Sequence, residues 1–184
     1  MMKVFAETER LILREIILED VDAFFELDSD PEVHRYLGNK PVTEKQQIID
    51  VIHYVRRQYS EHGIGRWAVV LKETNEFIGW SGLKWVTDII NGHQNFYDLG
   101  YRLQKRFWGH GYATESAIMA LDYGYNFLQI AKINASANCE NIGSNRILTK
   151  LGMDCLNTYY YEDILCNWYE LSKEKYLAKT SSIG

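Results

Sequence analysis

The sequence has 184 residues, 46% of them hydrophobic, which is enough apolar material for one ordinary core. It has 20 lysines and arginines against 25 aspartates and glutamates, a formal net charge of −5. The chain therefore lacks the excess of basic residues that a protein binding duplex nucleic acid needs. An aromatic content of 14% with only 2 prolines argues against disorder. A basic substrate or a local anion site remains compatible with this composition.

The amino-terminal half shows both strand and helix patterns. Leu11 and Leu13 lie in an alternating segment, which indicates a half-buried strand. Two later segments place apolar residues at helical spacing, and Thr43 is the expected N-cap of the second. The predicted elements are the strand Thr8–Glu15, the helices Leu18–Leu27 and Thr43–Tyr59, and the strands Arg66–Leu71, Phe77–Trp85 and Asn95–Leu103.

The carboxy-terminal half continues with two helical patterns set between strands. Gly152 follows the second pattern at the position where a left-handed residue commonly ends a helix. The predicted elements are the helix Tyr112–Phe127, the strand Ala131–Ala137, the helix Asn141–Leu151 and the strands Met153–Tyr161 and Ile164–Leu171. This order predicts a single mixed α/β domain over residues 1–184.

Targeting and redox signals point to the cytoplasm. The longest apolar runs have 5 residues, whereas a membrane-spanning helix needs about 20, and the first residues lack the apolar region of a signal peptide. The cysteines Cys139, Cys155 and Cys166 are odd in number and show no CxxC spacing. We therefore expect a cytoplasmic protein with reduced thiols and no bound metal.

The segment from Leu103 to Glu115, LQKRFWGHGYATE, places Gly109 and Gly111 between a strand and a helix. A helix N-terminus leaves backbone N–H groups unpaired, and glycines let the chain approach a ligand, so the segment predicts a cradle for a phosphate. Gln104, Lys105 and Arg106 are expected to add side-chain donors. The spacing fits neither a P-loop nor a dinucleotide fingerprint. Taken alone, two glycines more often only turn the chain.

A second segment places Asn138, Asn141 and Ser144 three residues apart, at the junction of a strand and a helix. Asparagine at a helix entry is usually a cap. Three small polar groups in this register are also suited to one side of a slot for an amide-bearing ligand, because asparagine both donates and accepts.

Together the two segments resemble a known family. Arg106-x-x-Gly109-x-Gly111 resembles the acyl-CoA motif R/Q-x-x-G-x-G/A of the GNAT N-acetyltransferase superfamily. The strings GYRLQKRFWGHGYATE and NxxNxxSxRILxKLGM, with RLILRE and WYEL, look like the branch that acetylates the N-termini of ribosomal proteins. The resemblance covers nearly the whole chain. It implies a mostly antiparallel twisted sheet of about seven strands, splayed in the middle and flanked by about four helices.

The resemblance also implies acetyl-CoA as co-substrate. Its pantetheine would pair with the exposed backbone of Asp98–Leu103, and its pyrophosphate would bind N–H groups across Arg106–Ala113. Trp108 would cover the cofactor, and His110 would be an exposed residue of the loop. The expected cofactor-binding residues are Tyr101, Leu103, Gln104, Arg106, Trp108, Gly109, His110, Gly111, Tyr112, Ala113, Thr114, Asn138, Asn141 and Ser144.

In this family an amine attacks the thioester carbonyl. Asp98 matches an acidic position of the family strand and is the expected base; the alternative is an ordinary solvent-facing carboxylate. Many relatives protonate the leaving thiolate with a tyrosine, whose position Leu148 occupies here, so Ser144 is the expected acid. The alternative is a serine that bonds back to the chain. A backbone N–H near Tyr101 would polarise the carbonyl.

Several acceptors are compatible with the sequence. Glu32, Arg35 and Tyr36 lie in the loop region that covers the acceptor in relatives, and are expected substrate contacts. The preferred acceptor is a protein N-terminal α-amine, such as that of a ribosomal protein. A polyamine, an antibiotic, a metabolite or a non-catalytic CoA-binding role are the alternatives. We expect a monomer or homodimer without nucleic-acid or membrane partners.

Overall fold

A computed structural model describes residues 2–181 and places an eight-stranded sheet at the centre of the molecule. Met1 and residues 182–184, which the single-domain prediction includes, lie outside the described residues. The strands are β1 (Val4–Glu7), β2 (Leu11–Arg14), β3 (Arg66–Leu71), β4 (Glu76–Val86), β5 (Phe96–Leu103), β6 (Lys132–Asn138), β7 (Asp154–Tyr161) and β8 (Ile164–Ser172). Their order across the sheet is β1-β2-β3-β4-β5-β6-β8-β7.

The sheet splays between β5 and β6, its one parallel pair. Parallel pairing covers Tyr97 to Leu99 of β5, opposite Ile133 to Ala135 of β6. Beyond that point β5 continues to Leu103, and no strand among residues 2–181 pairs with it on this side. The mixed α/β class and the central splay expected from the resemblance are therefore confirmed.

Helices cover both faces of the sheet. They are α1 (Val21–Ser29), α2 (Pro31–His34), α3 (Lys45–His62), α4 (Tyr112–Asp122), α5 (Ile142–Leu151) and α6 (Lys173–Ser181). Phe24 and Ile48 pack with Ala68 on one face, called the α1 face, whereas Trp67 and Leu99 pack with α4 and α5 on the other, the α4 face. Side chains alternate between faces along each strand, and full burial of each large apolar group contributes about 1.5–3 kcal/mol.

The structure corrects the sequence expectations in several places. The sheet has eight strands rather than seven, and the described residues contain six helices rather than four. The expected strand Thr8–Glu15 is the turn and second strand of a hairpin, because the Thr8 hydroxyl accepts the N–H of Leu11 at 2.8 Å. Thr43 is not the N-cap of α3; its N–H and that of Glu44 both donate to the Gln47 side chain at 2.9 and 3.0 Å.

Three other features bear on the chemistry that the fold can support. Over residues 2–181, the helices are too short or too polar to cross a membrane. In the same range no group of three histidine, cysteine or acidic residues is arranged to hold a metal ion. Cys139, Cys155 and Cys166 are free thiols.

Candidate functional site

The gap between β5 and β6 connects the two faces of the sheet. From Gly100 onward, the backbone groups of β5 that face the gap find no strand partner within residues 2–181. Tyr101 and Leu103 point towards the α4 face, where they join the core around α4. Asp98 and Arg102 alternate with them and point towards α1. An extended, amide-bearing molecule can thus pair with β5 as a further strand would.

The loop after β5 has the geometry of an anion site. Gly109 and Gly111 have φ angles of 79° and 84°, in the left-handed region that favours glycine. Within the described chain, the N–H groups of residues 109–114 donate to no protein acceptor, and α4 begins immediately after Gly111. These open donors and the positive end of the helix dipole lie together in an exposed loop.

The side chains expected to assist this loop point elsewhere. Gln104 is 3% exposed, and its amide donates to a carbonyl of α1 at 3.1 Å. Lys105 pairs with a carboxylate of α2 at 3.4 Å, and Arg106 pairs with Glu26 and Glu76. In this structure Gln104 is buried under α1, and Lys105 and Arg106 are paired with carboxylates, so the open donors at the loop are backbone groups.

Arg10, which was not singled out from the sequence, fastens the loop. Its guanidinium donates to the carbonyl of His110 at 3.1 Å and to the carboxylate of Glu115 through Nε at 2.8 Å. It also lies 4.5 Å from the centre of the Tyr112 ring. Thr8 donates to Glu115 at 2.5 Å. The β1–β2 turn thus holds the back of the loop in place.

The other residues of the loop surround the open N–H groups. The Trp108 indole donates to the carbonyl of Leu103 at 2.8 Å and leaves 45% of the residue exposed beside the loop. His110 is exposed and stacks on Tyr112, with ring centres 5.6 Å apart. Ala113 and Thr114 lie half-buried in the first turn of α4.

Asn141 is the N-cap of α5, whereas Asn138 closes a turn at the end of β6. Asn141 accepts the N–H of Ser144 at 3.0 Å, and Asn138 accepts the N–H of Glu140 at 2.8 Å. The capping interpretation therefore holds for Asn141. Asn145, which the sequence analysis missed, donates to the carbonyls of Asn138 and Asn141 at 2.9 and 2.8 Å. Its own oxygen accepts from two residues of β8 at 2.7 Å, so the helix start is fixed against the sheet.

Ser144 meets a tyrosine across the gap. The Tyr101 hydroxyl lies 3.1 Å from Ser144 Oγ and 3.1 Å from its carbonyl oxygen. Burial raises the pKa of Tyr101 to about 12, although the bond to Ser144 opposes this rise. Leu148 is 1% exposed within the core and presents nothing to the gap.

Asp98 is neither free nor simply solvent-facing. Its Oδ2 forms an ion pair with Arg66, which also donates to the Asp98 carbonyl at 2.6 Å and to that of Gly82. Its Oδ1 accepts no hydrogen bond from residues 2–181. One carboxylate oxygen is therefore fixed by a cation, and the other is available to a ligand.

A second ion pair lies beside the first on the α1 face. Arg102 donates to Asp28 at 2.7 Å, and the buried His34 ring lies 3.7 Å from the same carboxylate. Trp80 lies between the arginines, with Arg66 and Arg102 at 5.4 and 5.1 Å from its ring centre. Burial, and then Arg102, lowers the pKa of His34.

The three expected substrate contacts lie in different positions relative to the gap. The Tyr36 carbonyl accepts from Asn138 at 3.5 Å, which brings this loop to the end of β6 at the gap. Arg35 is exposed, with its guanidinium 5.4 Å from the Tyr36 ring centre. Glu32 turns away to pair with Lys105. Of the three residues, Tyr36 is the one tied to the gap.

Known proteins share this architecture. The sequence profile of the acetyltransferase (GNAT) domain matches residues 10–154. The chain is 36% identical over 144 residues to the uncharacterized N-acetyltransferase p20 of Bacillus licheniformis, covering 78% of this chain and 79% of that protein. RimL, a ribosomal L7/L12 alpha-N-protein acetyltransferase, aligns with a TM-score of 0.76 at 16% identity, covering 94% and 95% of the two chains. Spermidine N-acetyltransferase from Vibrio cholerae, solved with CoA and spermine, aligns with a TM-score of 0.75 at 17% identity, covering 92% and 99%.

Proposed function

Because this chain belongs to the GNAT acetyltransferase family, we propose that it transfers the acetyl group of acetyl-CoA directly to a protein N-terminal α-amine, of the kind that ribosomal proteins present. The observation that carries the proposal is the junction of two features: an unpaired β5 edge runs directly into a loop of open N–H groups. A diphosphate joined to an amide-bearing arm matches both in order. We place this reaction in the cytoplasm, where acetyl-CoA and free N-termini meet.

The donor binds mainly through backbone groups in this proposal. The pyrophosphate accepts from the N–H groups between Gly109 and Thr114, and the pantetheine amides pair with β5 between Gly100 and Leu103. The thioester then lies in the gap, with Ser144 on the α4 side and Asp98 on the α1 side. The amine reaches it from the α1 face.

The acceptor amine must lose a proton before it attacks. An α-amine with a pKa near 7.8 is roughly 10–15% neutral at pH 7, whereas a lysine amine must be deprotonated at a cost of about 4–5 kcal/mol. Asp98 Oδ1 can orient the neutral amine by accepting one of its hydrogens, while Arg66 holds the other oxygen. This arrangement supports an orienting role for Asp98 and leaves final proton removal to solvent.

The charges on the α1 face favour an α-amine over a polyamine. Asp98 and Asp28 each pair with an arginine, Arg66 and Arg102 respectively. Lys84 lies directly across from Asp98 on β4 and is half-buried. No carboxylate of residues 2–181 lies within ion-pair distance of its amine, so its positive charge also opposes a polycation. Binding a polycation requires several carboxylates free to pair with it, whereas here Asp28 and one oxygen of Asp98 are engaged by arginines and only Asp98 Oδ1 is left for a single amine.

The test measures thiol release from acetyl-CoA with short peptides carrying free N-terminal amines, against the same peptides blocked at the N-terminus and against spermidine. We expect release only with the free peptides, and mass spectrometry of the product should locate the acetyl group on the α-amine. Faster release with spermidine would contradict the acceptor. Binding of acetyl-CoA without release on any amine would contradict the transferase itself.

A further inference from the structure

The contact between Tyr101 and Ser144 joins two elements that the gap otherwise separates. Tyr101 belongs to β5, and Ser144 lies in the first turn of α5. The phenol oxygen lies 3.1 Å from both the Oγ and the carbonyl oxygen of Ser144, so its single hydrogen can serve either acceptor. The backbone N–H of Ser144 is held by Asn141 at 3.0 Å, which fixes the position of the serine.

We propose that Tyr101 and Ser144 form a two-hydroxyl proton relay, in which Ser144 Oγ protonates the departing thiolate and Tyr101 resupplies Oγ. The relay rests on the proposed acetyl transfer. Ser144 contacts the reacting sulfur, and Tyr101 acts through Ser144 as a positioning residue. The tyrosine thus reaches the gap from the strand, whereas Leu148, at the helix position expected for a tyrosine, is buried in the core.

The proton and electron balance of the step is complete. The amine nitrogen forms a bond to the thioester carbon, the carbon–sulfur bond breaks, and its electron pair goes to sulfur. Sulfur takes the Ser144 hydroxyl proton while the phenol hydrogen moves from the Ser144 carbonyl to Oγ. The surplus proton on the acylated nitrogen leaves to solvent, and solvent returns a proton to the phenolate.

Two physical reasons favour a pair over the serine alone. An aliphatic hydroxyl is a much weaker acid than a phenol, so Ser144 loses a proton more easily when a phenol replaces it in the same step. The phenol of Tyr101 is protonated throughout the physiological range, so its hydrogen is present when sulfur departs; burial, which raises its pKa, also makes it a weaker acid, so its proton must move in the same step as the protonation of sulfur. The fixed backbone N–H of Ser144 keeps Oγ within reach of the phenol.

The experiment uses the full chain with acetyl-CoA and a peptide bearing an N-terminal alanine. We expect Tyr101→Phe and Ser144→Ala each to lower kcat about tenfold, with the KM for acetyl-CoA within twofold of the unaltered protein. The kcat of the double variant should equal that of the less active single variant, because both changes interrupt one path. Tyr125→Phe is the matched control, since it removes another buried phenol hydroxyl, bonded at 2.6 Å to the Leu171 carbonyl.

The other possible outcomes overturn either the relay or the proposed function. Full kcat in a folded Tyr101→Phe protein overturns the relay while acetyl transfer stands. A raised KM with unchanged kcat would mean that the contact only fastens α5 against β5. Losses of kcat that multiply in the double variant would mean that the two residues act independently. Both results overturn the relay. Absence of thiol release from the unaltered protein overturns the proposed function, and the relay with it.

Discussion

Arg66 and Asp98 form an ion pair at the place where β5 separates from β6. The Arg66 side chain is 12% exposed and that of Asp98 is 17% exposed, so both charges are largely removed from water. Arg66 also donates to the backbone carbonyls of Gly82 and Asp98. The pair therefore fastens β3, β4 and β5 together beside the proposed thioester position, which gives Asp98 both a structural and a chemical role.

Removing one partner should expose both roles. We expect Asp98→Asn to lower the free energy of unfolding by about 3 kcal/mol, because the Arg66 cation loses its counter-charge in a buried site. The kcat should fall as well, because the single amide oxygen stays with Arg66 and the donating NH2 group then faces the amine. Denaturant unfolding and steady-state kinetics on the same protein measure the two effects.

A double change separates stability from chemistry. Replacing Arg66 by Met together with Asp98 by Leu removes both charges, so stability should recover while kcat stays low. Recovery of activity along with stability would mean that Asp98 acts only through the fold.

Gly111 tests the anion loop. Its φ of 84° disfavours any side chain, and a Cβ would lie 3.5 Å from the Arg10 guanidinium. We expect Gly111→Val to raise the KM for acetyl-CoA at least tenfold, roughly 1.4 kcal/mol or more, because the loop can no longer present its N–H groups to the diphosphate.

Gly92 provides the matched control for that substitution. Its φ of 75° imposes a similar backbone strain, it has open space around it, and it lies in the β4–β5 turn. Gly92→Val should therefore lower stability without changing the KM for acetyl-CoA. An unchanged KM in a folded Gly111→Val protein would remove the argument for the loop.

Arg10 should act on donor binding from behind the loop. Arg10→Ala removes the bonds to the His110 carbonyl and to Glu115, so the loop loses its fixed shape. We expect the KM for acetyl-CoA to rise about fivefold, about 1 kcal/mol, with little change in kcat. Lys72→Ala removes a surface ion pair between the end of β3 and Glu7 of the β1–β2 hairpin, and it should leave both constants unchanged. A drop in kcat alone would place Arg10 in the chemistry instead.

His34 predicts a pH dependence of stability. Because burial and Arg102 lower its pKa in the folded state, the unfolded chain binds a proton first as the pH falls. Stability should therefore decrease below about pH 6.5, the ordinary histidine pKa, until the folded ring also titrates. Asp28 and Asp30 face the ring and limit the effect.

The comparison of His34→Gln with the unaltered protein isolates this contribution. We expect the difference in unfolding free energy between pH 7.5 and pH 5 to shrink in the variant, as measured by urea denaturation at each pH. An equal difference in the two proteins would assign the acid sensitivity to other groups.

The features that the sequence predicts correctly are local ones. Gly109, Gly111, Asn141 and Gly152 act through their own backbone or through residues three positions away, so their spacing is visible in one dimension. The splay was implied by the motif resemblance as a whole. These features are sufficient to locate the gap and the loop.

The features that the sequence missed are contacts between distant segments. Arg10 and Glu115 are 105 positions apart, and Asn145 and Asn167 are 22 apart, so no spacing rule connects them. The orientation of Gln104 is not visible in the sequence, because a glutamine beside a glycine-rich loop is typical of a ligand donor, whereas the structure turns its amide towards α1. Tertiary neighbours decide such orientations.

The short parallel pairing between β5 and β6 has a thermodynamic consequence. The seam joining the first five strands to the last three is only three residue pairs long, so a donor lying along the open edge completes it in the manner of a missing strand. The concentration of acetyl-CoA then determines how stable this junction is. At 100 times the dissociation constant, binding raises the free energy of unfolding by about 2.7 kcal/mol. Thermal melting should thus report occupancy, and amide exchange should slow first along the open edge of β5.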